Sequence, residues 1–171
     1  PNSSESMTQE IKENVISYFM KKDITIILDN ISYYTGPSTS PNQISDIETS
    51  LQSRDACLPE LINPNNINYF NNFDGILVAC FSDHPLVQSL SEFAMQNHSK
   101  TIIAGLLNTT ISFCSLFGDR TFSILTSNNE WIDILNNAIE KNYLTKSSEK
   151  YWKGTVATNL EVLNLHDIQN Y

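Results

Sequence analysis

Phe73-Asp74-Gly75-Ile76-Leu77-Val78-Ala79-Cys80-Phe81-Ser82-Asp83-His84-Pro85 decides how the rest of the chain reads. Ile76 to Ala79 is an uninterrupted apolar run, as expected of a parallel strand covered on both faces. A short polar turn follows, and then a helix start. Asp83 is a good N-cap type, and Pro85 falls in the first turn, where its missing N–H is no loss. The thiol of Cys80 is thereby placed at the carboxyl end of a strand, beside a helix N-terminus. In open α/β sheets ligands bind along that edge, and a helix N-terminus favours thiolate over thiol. A plainer reading is a buried cysteine used as a small hydrophobe. The stretch by itself leaves both open.

Outward from this stretch, helix and strand patterns alternate. Upstream, Ser3 or Ser4 caps a helix with Met7, Ile11, Val15, Tyr18 and Phe19 on one face. Residues 24–28 form a β-branched strand, 35–41 a turn-rich loop, and 43–57 a weaker helix with Ile44, Ile47 and Leu51 in period. Residues 59–73 fit no single pattern. Downstream, residues 84–96 make a helix through Leu86, Val87, Leu90, Phe93 and Ala94, and 101–105 a second buried strand. Residues 108–117 read as a helix closed by Gly118, and 121–126 as a strand that delivers Thr126 and Ser127 to a loop. Trp131, Ile132, Leu135 and Ile139 mark another helix; Val156 and residues 162–165 mark weaker strands. This order predicts an α/β fold built on parallel strands.

The composition narrows the function. A length of 171 residues suits one domain or two small lobes. Ten basic against nineteen acidic residues give a net charge of −9, with no Lys/Arg cluster, so the footprint of a nucleic-acid binder is missing. The sequence shows no signal peptide and no apolar run near the roughly 18 residues of a membrane span. Three cysteines, at 57, 80 and 114, have no framework spacing, which points to a reduced, cytoplasmic setting. Glycosylation-type triplets at Asn30, Asn97 and Asn108 are read as chance in an Asn-rich chain. The chain opens on Pro1 without an initiator methionine and stops at Tyr171 with no closing helix. It is expected to be a fragment whose first helix follows a strand before Pro1.

Three polar groups fall after expected strands, along what should be one sheet edge: Asn2-Ser3-Ser4, Cys80-Phe81-Ser82-Asp83 and Thr126-Ser127-Asn128. Each joins hydroxyl or amide side chains to backbone N–H groups at a helix start, which suits a small ligand with carboxylate or imide oxygens. Ordinary capping explains any one of them; their convergence around a thiol favours a site. His84, His98 and His166 lack metal-ligand spacing, so no metal site is expected. A Cys80–His84 dyad would activate the thiol, but across a strand-to-helix turn its geometry is undetermined. Cys57 lies in a polar segment with nothing assembled around it, and Cys114 reads as a core residue of a helix. No Gly-rich phosphate loop is present, so no nucleotide cofactor is expected.

Several of these segments carry a resemblance. Pro1-Asn2-Ser3-Ser4 resembles the "NPNSS/NPNTS" opening of the hydantoin racemase branch of the aspartate/glutamate racemase superfamily. Thr35-Gly36-Pro37 with Pro41-x-x-Ile44 resembles its loop after the second strand, and residues 74–83 its first catalytic cysteine segment. Residues 118–126 are similar to its "G-x-R-F-S-V-x-T" strand, and Tyr151-Trp152-Lys153-Gly154 with the run at 160–165 to fungal members associated with allantoin metabolism. The resemblance spans nearly the whole chain.

The resemblance implies two similar Rossmann-like lobes with the site at their interface. The approximate lobes are residues 1–98 and 99–171 of a single, incomplete racemase region, the rest of the first lobe lying beyond the C-terminus. It also implies cofactor-independent racemisation of a 5-substituted hydantoin such as allantoin, by a full-length homo-oligomer. Cys80 would be one of two cysteines that move the proton at the stereocentre, with Asn2, Ser3, Phe81, Ser82, Thr126 and Ser127 around the substrate. Two departures stand out. His84 separates Asp83 from Pro85 where the family runs Asp into Pro, and the late "G-C-A-G" segment that supplies the second cysteine is not in these residues. These residues alone are therefore not expected to racemise by a two-base route. Alternatives are a one-cysteine decarboxylase or isomerase on the same scaffold, and a non-catalytic small-molecule binder.

Overall fold

The computed structural model describes residues 1–25, 28–146 and 148–159. In chain order the regular elements are α1 (Glu5–Lys21), α2 (Ile47–Leu61), β1 (Gly75–Val78), α3 (Pro85–Gln96), β2 (Ile102–Gly105), α4 (Leu106–Ser115), β3 (Phe122–Thr126), α5 (Glu130–Asn142) and β4 (Trp152–Ala157). The fold is α/β, with two parallel strand pairs flanked by helices: β1 beside β2, and β3 beside β4. Parallel strands need a crossover connection. Here α3 carries the chain from β1 to β2, and α5 carries it from β3 to β4. In the first pair Gly75 lies opposite Ile102 and Val78 opposite Gly105. That register places β2 in the same sheet as β1.

Each pair has its own apolar core. Val78, Leu86, Leu90 and Ala94 pack with Cys57, Leu61 and Phe70 in the first. Leu107, Ile111, Ile124, Trp131, Leu135, Ile139 and Trp152 form the second. The i, i+4, i+8 spacing of Trp131, Leu135 and Ile139 puts them on one face of α5, as their pattern predicts. In the second pair the register slips between Phe122 and Ile124, giving β4 one extra residue. Gly154 takes up the bulge at φ +90°, a conformation open to glycine. Beside it Asn136 Oδ1, on α5, accepts the Thr155 N–H at 2.9 Å.

Some expectations shift. The strand expected at 24–28 is not formed in its described part: Leu28–Asn30 is a 3₁₀ turn, while Ile26 and Ile27 lie outside the described residues. The strand expected at 162–165 and His166 also lie outside them. The weak helix begins later, at Ile47, because Asp46 and Thr49 form a reciprocal capping box, and it runs through Pro59 to Leu61. The helix expected at 108–117 starts directly after β2 and ends at Ser115, before Gly118. α1 is capped by Ser4 as expected, but none of its residues is fully buried. The apolar run of β1 is covered on one face: Val78 is buried while Leu77 is 55% exposed. Ile102, Leu125 and Val156 are also exposed. Among the described residues no helix is long and apolar enough to cross a membrane.

Leu90 and Leu135 sit at the centres of the two cores and are almost wholly inaccessible. Leu90→Ala or Leu135→Ala is expected to cost about 2–5 kcal/mol through lost burial and the cavity left behind. The check is the urea midpoint; a loss well under 1 kcal/mol would contradict the packing described.

Candidate functional site

Cys80 stands where the β1 path bends away from the sheet. Its N–H bonds back to the Val78 carbonyl at 2.9 Å, a three-residue turn that ends the strand. The thiol faces the Ser82 hydroxyl, with Sγ and Oγ 3.2 Å apart. Ser82 is buried, Cys80 half-buried, and Phe81 between them is 42% exposed. Burial pushes the Cys80 thiol up, opposed by its hydrogen bond to Ser82. The helix N-terminus was expected to favour thiolate. Desolvation outweighs the Ser82 hydrogen bond, so the net shift at Cys80 is upward, against that expectation.

The helix start is also built differently from expectation. His84, not Asp83, is the N-cap of α3, and its Nδ1 accepts the Leu86 N–H at 3.2 Å. Pro85 follows in the first turn, as read from the sequence. Asp83 turns outward to α5 instead. Asn142 Nδ2 donates to one of its oxygens at 2.8 Å, and the Tyr143 hydroxyl donates to the other. Burial, reinforced by Asp83, raises the Tyr143 hydroxyl. His84 therefore forms no dyad with Cys80: its Nδ1 is occupied, and its Nε2 has no partner among the described residues.

The Pro1 end is anchored in the first core. Ser40 Oγ, Ser53 Oγ and Cys57 Sγ all donate to the Pro1 carbonyl, at 2.8, 2.8 and 3.1 Å. Cys57 was expected to have nothing around it; it is fully buried and bonded, and burial pushes its thiol up. The adjacent Asn2 forms a local turn, its Oδ1 accepting the Ser4 N–H at 3.2 Å and its Nδ2 donating to Met7 Sδ at 3.1 Å. Gly36 admits this segment, since a Cβ there would stand 2.6 Å from the Pro1 oxygen. Sequence reasoning missed the cluster because its members are far apart in the chain. The Gly36-Pro37 and Pro41 positions were its only local signal.

Thr126 and Ser127 sit at the carboxyl end of β3. Their carbonyls accept the Thr158 hydroxyl at 3.2 and 3.1 Å, and the Thr158 N–H bonds Thr126 at 2.8 Å. Asn128 Oδ1 is buried there with no partner among the described residues. The structure thus brings Cys80 and Ser82 into contact and sets Asn2, Ser3, Thr126 and Ser127 at chain turns in the two units. Cys114 is half-buried on α4, outside both apolar cores, not the core residue expected. Among the described residues no group of three or more His, Cys, Asp or Glu side chains is placed to hold a metal ion. The surface grooves beside Lys12 and Tyr33, and beside Ser112 and Tyr151, do not include Cys80.

The Asp/Glu/Hydantoin racemase family matches residues 1–168. The chain is 47% identical over 174 aligned positions to Protein DCG1 of Saccharomyces cerevisiae, a match covering all of this chain and 69% of the yeast protein. No solved structure matches it.

Two outcomes follow from the electrostatics. Ser82→Ala removes the bond that lowers the Cys80 thiol, so alkylation of Cys80, followed by peptide mass spectrometry, should shift to higher pH and slow at neutral pH. An unchanged profile would show that Ser82 does not tune the thiol. His84, 2% exposed, is lowered from 6.5 to about 4, chiefly by burial. The folded chain thus binds fewer protons than the unfolded chain between those values, and stability falls as pH drops from about 6.5 through 4. In His84→Asn, which keeps a capping side chain, the acid-side fall in urea midpoint should be shallower.

Proposed function

The chain belongs to the Asp/Glu/hydantoin racemase family, and we propose that it carries half of a cofactor-independent catalytic pair that racemises a 5-substituted hydantoin such as allantoin. Family membership supports racemase-type or isomerase chemistry. The observation that carries the finer reading is Cys80 itself: a thiol at the carboxyl end of a parallel strand, hydrogen-bonded to Ser82 and followed by a helix start. In the proposed reaction a cysteine thiolate removes the proton from the stereocentre, and the electron pair passes into the ring as enolate-like charge. A second thiol returns a proton from the opposite face. Thiol and thiolate have exchanged places, and nothing is oxidised or reduced.

Asn2, Ser3, Phe81, Ser82, Thr126 and Ser127 are assigned to the substrate. Backbone N–H groups at the turns would stabilise the developing oxyanion. Burial holds Cys80 as the acid, so in one direction of turnover it is the proton donor and in the other it must first be deprotonated. Neither other cysteine suits the second role, since Cys57 is locked onto the Pro1 carbonyl and Cys114 lies on α4. The second thiol is assigned to a "G-C-A-G"-type segment, which these residues do not contain. The free cysteines fit a reducing compartment, and we assign the protein to the cytoplasm.

One observation also favours a second reading. A half-buried thiol bonded to Ser82, its proton held more tightly by desolvation, suits a one-cysteine decarboxylase or isomerase that protonates a carbanion from one face.

Incubating the full-length protein with one enantiomer of allantoin or another hydantoin in deuterated water tests both. Loss of optical signal with deuterium uptake is expected, reduced at least about 10²-fold in Cys80→Ala, the order of a lost general acid–base group. Activity retained in that variant would remove Cys80 from the mechanism. Deuterium uptake with retention of a single enantiomer would favour the one-cysteine reading.

A further inference from the structure

We propose that Ser40, Ser53 and Cys57 are positioning residues that clamp the Pro1 carbonyl and so set the backbone of Asn2 and Ser3 at the ligand edge. The inference rests on the assignment of Asn2 and Ser3 to the substrate. A carbonyl oxygen has two lone pairs, yet three donors converge on this one, from 2.8 to 3.1 Å away. Satisfying one carbonyl does not require three buried side chains; fixing its position from several directions does. Ser53 and Cys57 are four residues apart on α2 and so project from one face. Ser40 reaches the same atom from the loop before α2. All three residues are buried.

The clamp continues into the next peptide units. The Gly36 N–H bonds the Asn2 carbonyl at 2.8 Å, and the Ser3 N–H bonds the Pro41 carbonyl at 3.0 Å. Only a glycine fits at position 36, because a Cβ would come within 2.6 Å of the Pro1 oxygen, 2.9 Å of the Asn2 oxygen and 3.1 Å of Cys57 Sγ. Asn2 and Ser3 are thereby held by the 36–41 loop, and the preceding Pro1 carbonyl by α2 and Ser40. Cys57 serves through its proton and not as a nucleophile: it is inaccessible, and burial pushes its thiol up. Misplacing a binding group by about 1 Å costs up to about 10²-fold in catalytic efficiency, so a clamp one peptide from the substrate contacts has leverage on substrate binding.

The test compares Ser53→Ala, Cys57→Ala and the double variant of the full-length protein with Cys57→Ser, which keeps a donor. Amide hydrogen exchange at Ser3 and Gly36 should quicken about tenfold or more in the double variant while the β3 and β4 amides are unaffected, and Cys57→Ser should stay near wild type. Hydantoin turnover should lose about tenfold in kcat/KM, mainly through KM, in the same rank order. Where the double variant does not fold, Ser40→Ala takes its place. Unchanged exchange at Ser3 and Gly36 overturns the clamp whatever the activity. Faster exchange with an unaltered KM overturns its role at the ligand edge. A wild-type protein inert toward every hydantoin overturns the racemase reading instead, and the exchange measurement still decides the clamp.

Discussion

Parallel strands cannot be joined by a tight turn, and that constraint shapes everything near Cys80. To reach β2 beside β1, the chain must leave the carboxyl end of β1, turn, and return along a helix. The turn is Cys80 to His84 and the helix is α3. Strand end, thiol and helix N-terminus are therefore neighbours by topology, before any particular side chain is chosen. The same rule brings Thr126 and Ser127 to the end of β3, where α5 begins the second crossover. What the individual residues add is the wiring of each turn.

That wiring explains which parts were legible in the sequence. Hydrophobic period located β1, α3, β3 and α5 because each has a buried face decided by nearest neighbours along the chain. The cap of α3 was misread because Asp83 and His84 are both competent acceptors, and the choice between them is made by Asn142 and Tyr143, some sixty residues away. Once Asp83 is drawn to α5, the imidazole nitrogen of His84 takes the Leu86 N–H. Cys57 was misread for a related reason. Its neighbours Ser53 and Arg54 make a polar stretch, yet it packs in the first apolar core and bonds the Pro1 carbonyl, 56 positions earlier in the chain. Local pattern reports periodicity well and long-range hydrogen bonds poorly.

The thiol at the site shows the same contest in energetic form. A helix N-terminus and a serine hydroxyl both favour thiolate, and both are visible in Cys80-Phe81-Ser82-Asp83-His84-Pro85. Burial is not visible there, and burial dominates. A sulfur whose proton is held more tightly than usual gives it up only when a neighbouring base or a change in hydration draws it off. The acid–base state of Cys80 is thus set by how closely the surrounding chain excludes water, more than by the polar groups it touches.

The separation of the two apolar cores has a consequence for how the chain comes apart. Each core closes around its own strand–helix–strand unit, and the connections between them include the direct run from β2 into α4 and the exposed Asp83 contacts with Asn142 and Tyr143. Exposed polar contacts of this kind contribute little to cooperativity. Opening of the two halves at different free energies is the expected consequence. Heat absorbed on unfolding would exceed the value inferred from the steepness of a single transition, and one melting temperature would describe neither half.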